Sequence, residues 1–298
     1  MHDDRIPTPF HDGELRAQAL AGVEAFAAPI RNRMPDQHRA FFPLLPFLCV
    51  AVRDADGWPL ATLVQGPPGF ATAPDPARLA VAALPDADDP VRAHLLPGAP
   101  VGLLGIDLGT RRRNRLNGVV ADVGAGGFEV DVRQSFGNCP RYIHVRTLAP
   151  VDRVPGRATA FGADLPARAR DVLGLATTLF VASASGTGVA SAAAGLDISH
   201  RGGTAGFARL DGDVLTVPDY PGNRYFNTLG NFLTEPRAAL VLADFASGDV
   251  VQLQGRVEVD WTAEDLARVP PVERVWRFRI VRGVVREGAF RLGAGAAL

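Results

Sequence analysis

A mainly β protein, a β-barrel architecture with flanking helices, is the fold class the sequence predicts, and three observations lead there. Apolar residues come in short, often alternating runs bounded by Gly, Asp and Pro, the pattern of antiparallel strands. The pattern occurs twice along the chain. At 298 residues and 47% hydrophobic content, the chain is long enough for two domains, each with its own core. Strands of this kind close into small barrels because closure removes exposed edges.

The elements follow in order. Glu14 to Ile30, rich in Ala and Leu, predicts a helix packed outside the first barrel. Strand Leu48 to Arg53, turn Asp54-Ala55-Asp56-Gly57 and strand Leu60 to Gln65 form a hairpin. Its counterpart in the second half is strand Leu179 to Ser183, turn Ala184-Ser185-Gly186 and strand Val189 to Ala194. Pro100 with Val101 to Leu108 matches Pro236 with Ala238 to Phe245, and Leu116-Asn117-Gly118-Val119 matches Leu253-Gln254-Gly255-Arg256. Arg146 to Arg170, broken by Pro150, Pro155, Gly156 and Pro166, reads as a linker followed by a short helix through Leu175. The boundary is placed near 155, giving domains 1–155 and 156–298. The final strand carries Arg277, Arg279 and Arg282 in alternation.

Composition excludes several functions. The net charge of -1 gives no reason to expect a nucleic-acid partner. Every one of the 31 basic residues is arginine, so Schiff-base chemistry and the lysine-dependent phosphate loop of nucleotide hydrolases are both disfavoured. Cys49 and Cys139 stand far apart, with no CxxC and no His cluster, so no metal site or disulfide scaffold is expected. The apolar run Phe41 to Val52 contains Pro43 and Pro46 and is too short to span a bilayer, and the charged start His2-Asp3-Asp4-Arg5 is unlike a signal peptide. A cytoplasmic protein without a membrane partner is the expectation.

Chemistry concentrates between Asp197 and Asn231. Ser199, His200 and Arg201 precede a Gly-Gly pair; a strand from Val214 to Pro218 then runs into Asp219-Tyr220-Pro221-Gly222-Asn223-Arg224, which opens a helix. Gly222 and Asn223 allow backbone amides to turn inward, the helix start adds its positive end, and Arg224 offers a two-pronged donor to a phosphate. Tyr220, Gly222, Asn223 and Arg224, followed by Glu235-Pro236 and an apolar strand, resemble the FMN-binding split barrels of the pyridoxamine 5'-phosphate oxidase type. Counted back from the matching Pro, the first half has Asp86, Asp88 and Asp89 where the second has Gly222, Asn223 and Arg224. Carboxylates there repel a phosphate by roughly 1 kcal/mol or more per close pair, so the first copy is expected to have lost its site.

Two further segments carry chemistry. Arg111-Arg112-Arg113-Asn114-Arg115 leads into a strand that places Arg113 and Arg115 on one face, either a solvated surface or a source of charge for a flavin or an anionic substrate. Gln134 to Tyr142, QSFGNCPRY, is similar to a closing segment of related flavin-binding split barrels, which implies Phe136, Asn138 and Arg141 near the cofactor and Cys139 packed.

The resemblance implies tandem split barrels binding FMN, with Ser199, Arg201, Asn223 and Arg224 on the ribityl phosphate, Tyr220 and Gly222 beside it and Gln252 on the ribityl chain or ring. His200 is left open between the pocket and solvent. No catalytic side chain is assigned, since such a cofactor does the redox chemistry itself. The expected function is oxidation or reduction of a small-molecule substrate, with electrons from a reduced nicotinamide or a partner reductase and with a homodimer possible. A flavin carrier or sensor without fast turnover, and a split barrel binding haem or a deazaflavin, stay open. Pyridoxamine-phosphate oxidase activity itself is not expected, because Trp276 to Leu298 has no clear match to that enzyme's substrate-binding tail.

Overall fold

The computed structural model describes residues 5–6, 9–24, 26–187, 189, 193–265 and 270–294. The first sheet comprises β1 (Phe47–Arg53), β2 (Pro59–Gln65), β3 (Ala71–Asp75), β4 (Arg78–Val81), β5 (Pro100–Asp107), β6 (Arg112–Gly124) and β7 (Gly127–Gly137), in the order β2-β1-β5-β6-β7-β4-β3. Two short strands follow, β8 (Leu148–Pro150) and β9 (Ala158–Phe161). The second sheet comprises β10 (Thr178–Ala184), β11 (Leu196–Gly202), β12 (Arg209–Asp211), β13 (Val214–Asp219), β14 (Arg237–Ala243), β15 (Val250–Asp260) and β16 (Arg274–Arg286). Its order is β11-β10-β14-β15-β16-β13-β12, with β9 added to β16. The protein is mainly β, and the same path is traced twice. Each sheet also carries a register shift at the corresponding place, between Asn117 and Gly118 and between Gln254 and Gly255.

β1, β2, β5, β10 and β14 read as nearly continuous apolar runs because they are buried on both faces. In β1, Leu48, Val50 and Val52 point into a core shared by all seven strands of the first sheet, so that sheet curls around them. The alternate residues Phe47, Cys49 and Ala51 point the other way, into a second core with Phe180, Ala182, Ala184, Ile198, Ala239 and Val241 of the second sheet. Small side chains in that shared layer, Cys49, Ala51, Ala61, Ala182 and Ala239 among them, let the two sheets approach closely. At Gly102 a Cβ atom would lie 2.7 Å from the carbonyl oxygen of Leu196. The second sheet closes on its own core around Trp276, Phe278, Leu240 and Leu253. Each such side chain contributes about 1.5–3 kcal/mol on leaving water.

The linker is pinned at both ends. β8 pairs with the last strand, β17 (Leu292–Ala294), and the Arg153 guanidinium donates to the carbonyl oxygens of Phe245, Ala246, Phe290 and Leu292.

Among the described residues four α-helices flank the sheets: α1 (Asp12–Leu20), α2 (Asp36–Arg39), α3 (Ala167–Leu175) and α4 (Asn227–Thr234). The helix expected to reach Ile30 is shorter. α1 begins at a capping box between His11 and Glu14 and stops at Leu20, ahead of Gly22 at φ +65°, and the described residues from there to Ile30 carry no helix or strand. The expected hairpin partner Val189 to Ala194 is replaced by β11; four residues near it, 188 and 190–192, lie outside those described. No helix among the described residues is long and apolar enough to cross a membrane.

α1 crosses α4 through paired glycines. A Cβ on Gly230 would stand 2.5 Å from Glu14 Cα, and one on Gly13 would stand 2.4 Å from the Gly230 carbonyl oxygen. Gly230→Ala is therefore expected to cost about 1–3 kcal/mol by overpacking, despite the better helix propensity of alanine. Gly174→Ala in α3, where a Cβ meets nothing within 4 Å, is the control and should be neutral or stabilising in chemical denaturation.

Candidate functional site

A cleft opens at one end of the seam between the two sheets, lined by both halves of the chain. The first half supplies Arg113 and Arg115 from the start of β6 and Asn138 to Tyr142 from the segment after β7. The second supplies Ser199 to Gly202 at the end of β11, the loop from Pro218 to the first turn of α4, and Glu273-Arg274. The backbone is strained here. Among the described residues, positive φ at non-glycine positions occurs at Arg111, Tyr142, Arg224 and Phe226, and three of these line the cleft.

The charge in the cleft is unbalanced. Of its arginines, Arg274 is paired with Asp219 and Glu273 at 2.8 and 2.9 Å, and Arg224 is held two-pronged by Glu273 at 2.9 and 2.6 Å. Arg201 stands 3.9 Å from Asp219. Arg113 has no carboxylate partner among the described ion pairs; burial and the neighbouring Arg201 and Arg115 charges push its pKa down to about 9. Its Nη1 lies 3.2 Å from Nδ1 of His200. Burial, then Arg113 and Arg201, hold His200 well below its ordinary pKa, so the ring is neutral. With Nδ1 accepting from Arg113, the proton sits on Nε2. That nitrogen, Arg113 Nε and Arg201 Nε are buried without a hydrogen-bond partner. Buried donors left unmade are costly, and a bound anion satisfies them.

Behind the cleft a buried polar network fixes Arg115. Its guanidinium bonds Asp197 at 3.1 Å, Asn227 at 3.0 Å and the Ser199 hydroxyl, while stacking on the Phe136 ring at 5.1 Å. Asp197 also accepts from Asn117 and Asn231 at 2.7 and 2.9 Å. Asn227 donates to Glu14, and Asn231 bonds His11, so α1 belongs to the same network. Burial, with Asp197 nearby, raises the Glu14 pKa to about 8.

The structure brings Ser199, Arg201, Tyr220, Gly222, Asn223, Arg224, Asn138 and Arg141 to this one cleft, and Asn223 donates to Asn138 at 3.2 Å across the seam. Several roles change. Both prongs of Arg224 are taken by Glu273, so buried Arg113 and Arg201, with exposed Arg141, are the cations left for an anion. Gly222 does not adopt positive φ; the left-handed positions are Arg224 and Phe226. Phe136 does not line the cleft but is fully buried beneath Arg115 and beside Tyr225. The alternation that put Arg113 and Arg115 on one face is met: both line the cleft, while Arg112 stacks on Phe41 at 4.8 Å.

Gln252 lies elsewhere, donating to the Ala61 carbonyl at 2.8 Å and to Asp89 at 3.1 Å. Counted from the two register shifts, Gln252 in β15 stands where Arg115 stands in β6. By the same count Thr62 in β2 corresponds to Ser199 in β11. The first-half loop lies against these residues. Asp89 accepts from Thr62, Gln252 and Arg286, while Asp86 and Asp88 also bind Arg286, and Asp86 binds Arg291. Its carboxylates are thus answered by arginines of the same chain. The repeat itself is the signal that points to Arg115; Asn227, Thr228, Glu273 and Arg274 carry no comparable signal.

No group of His, Cys, Asp and Glu able to hold a metal is present among the described residues. No family model matches the chain, and no curated protein matches it. Similar solved structures include a HupZ variant from Group A Streptococcus, at TM-score 0.32 and 12% identity over 40% of this chain and 98% of that one. A FAD-binding protein from Mesorhizobium loti aligns at TM-score 0.29 and 15% identity over 44% and 97%. A relative of general stress protein 26, of the pyridoxinephosphate oxidase family, from Clostridium acetobutylicum aligns at 0.28 and 12% over 38% and 81%. Each is a partial likeness and assigns neither ligand nor activity.

Glu14 gives the network a pH signature. Its folded pKa of about 8 exceeds the model-peptide value of 4.5, so the folded state holds a proton that the unfolded state has lost between those two values. Stability should therefore fall with rising pH across that window, by up to about 1.4 kcal/mol per unit. Glu14→Gln should flatten this slope, so that the variant gains on the wild type in melting temperature from pH 5 to pH 8. A difference that stays constant with pH would show that Glu14 does not hold the proton.

Proposed function

We propose that the chain consists of two tandem split barrels sharing one anion pocket, and that this pocket binds the phosphate of flavin mononucleotide. The observation that carries the reading is the pairing of Arg113 with neutral His200 beside Arg201, three buried donors without a hydrogen-bond partner, of which only Arg201 has a carboxylate near it, Asp219 at 3.9 Å. A phosphate monoester matches that donor set in charge and in hydrogen-bonding capacity. The start of α4, lining the same cleft, adds its positive end. Arg113 and Arg201 would hold the phosphate, Asn223 and Asn138 would close over it, and Tyr220 would wall the side. When bound, a flavin supplies the transfer of hydride or single electrons. The chain's own part is to neutralise the phosphate, keep His200 as a neutral donor, and fix Arg115 through Asp197 and Asn227.

On this reading the protein is an oxidoreductase of a small-molecule substrate, drawing electrons from a reduced nicotinamide or a partner reductase. Both walls of the pocket come from one chain, so a homodimer is not needed to complete it. The second reading is a flavin carrier or sensor that binds the cofactor in the same pocket without fast turnover. Anaerobic reduction of the flavin-loaded protein by NADH or NADPH, followed in the flavin absorbance, separates the two.

Arg113→Gln and Arg201→Gln are each expected to weaken FMN binding by about 1.5–3 kcal/mol, the scale of hydrogen bonds to a charged group. Arg224→Gln should cost less, because Glu273 keeps Arg274 as a partner. Titration calorimetry checks the order, and equal losses for all three would move the phosphate to another part of the loop.

The pH profile is a further check. FMN affinity should rise through about pH 6 as the phosphate loses its second proton. Because the anion binds to charged Arg113, affinity should fall again above pH 9, where free Arg113 discharges. In Arg113→Gln the alkaline limb should be absent.

A further inference from the structure

We propose that the ring of Tyr142 occupies the subsite that receives the planar aromatic group of the phosphorylated ligand, with the face of Tyr220 as its stacking platform. This rests on reading the pocket as a phosphate site. The two rings lie 5.0 Å apart and 36° from parallel. The Tyr142 hydroxyl donates to the carbonyl oxygen of Pro221 at 3.0 Å, tying the segment after β7 to the loop before α4. With that contact made, the cleft encloses about 110 Å³. A phosphate fits such a space, but a multi-ring ligand does not: pockets that take small molecules run from about 300 Å³ upward.

The contact is also strained. Tyr142 holds φ +64°, a left-handed conformation that is costly for an aromatic residue. Release of the hydroxyl lets Tyr142 return to extended backbone and uncovers Tyr220, so relief of strain offsets part of the stacking lost. Tyr142 is half-buried and held only by side-chain contacts with Pro221, Arg141 and Tyr220, so it is displaceable. The ligand class is a planar aromatic heterocycle joined to a phosphate monoester, its phosphate on Arg113 and Arg201 and its ring on Tyr220 in place of Tyr142.

The test compares FMN with inorganic phosphate on the full chain. Wild type, Tyr142→Ala, Tyr142→Phe and Tyr220→Leu are each titrated with phosphate by calorimetry, and FMN association is followed by stopped-flow quenching of flavin fluorescence. Tyr142→Ala should speed FMN association about tenfold, and Tyr142→Phe, which loses only the hydrogen bond, by a smaller factor. Tyr220→Leu should weaken FMN about tenfold through lost stacking. Phosphate affinity should stay within about twofold in the two Tyr142 variants, which also reports an intact fold. FMN rates and affinities unchanged by all three variants, with phosphate still bound, overturn the ring subsite alone. Absence of phosphate binding in the wild type overturns the anion pocket and the subsite with it. Should Tyr142→Ala fail to fold, Tyr142→Phe and Tyr220→Leu decide by the same criteria.

Discussion

The buried ion pair between Arg115 and Asp197 is the joint on which the site depends. Arg115 belongs to the first sheet and Asp197 to the second, and the two meet because small side chains on the facing strands let the sheets approach closely. Taking both charges from water is costly, and the cost is offset by Asn117, Asn227, Asn231 and Ser199, which satisfy the neighbouring donors and acceptors except Arg115 Nε. That pair fixes the start of β6 against the end of β11, and so places Arg113 beside His200. Loss of Asp197 alone would leave a guanidinium buried without its counter-charge, a more damaging state than loss of both partners.

The two halves use one backbone path for opposite electrostatic ends. In the first, the loop carries its own anions, and Arg286 is sunk among three carboxylates. In the second, the matching stretch of β6 holds Arg115 where β15 has Gln252, and the loop offers neutral Asn227 and Thr228 against Ser199. The first arrangement is self-sufficient and rigid. The second has donors to spare, among them Arg113 Nε, Arg201 Nε and His200 Nε2.

Much of the fold was legible because its signals are local. Period-two apolar runs and the turns at Asp54 to Gly57 and Asp219 to Arg224 mark strands and loops without knowledge of what packs on them. The alternation of Arg113 and Arg115 likewise follows from strand geometry alone. What failed depended on long-range partners. Arg224 reads as a phosphate ligand until Glu273, far along the chain, is seen to take both its prongs. Gln252 reads as a flavin contact through the resemblance alone, yet its amide is taken by Ala61 and Asp89 of the other half. Phe136 is buried under a cation contributed by the neighbouring strand, and its stacking role has no local signature.

Arg153 bears on how the molecule moves. By gathering four carbonyl oxygens from two separate turns, it converts the connection between the halves from a tether into a rivet, reinforced where β8 pairs with β17. A flexible connection would let the halves tumble independently and the seam breathe. Riveted in this way, the halves share one rotational correlation time.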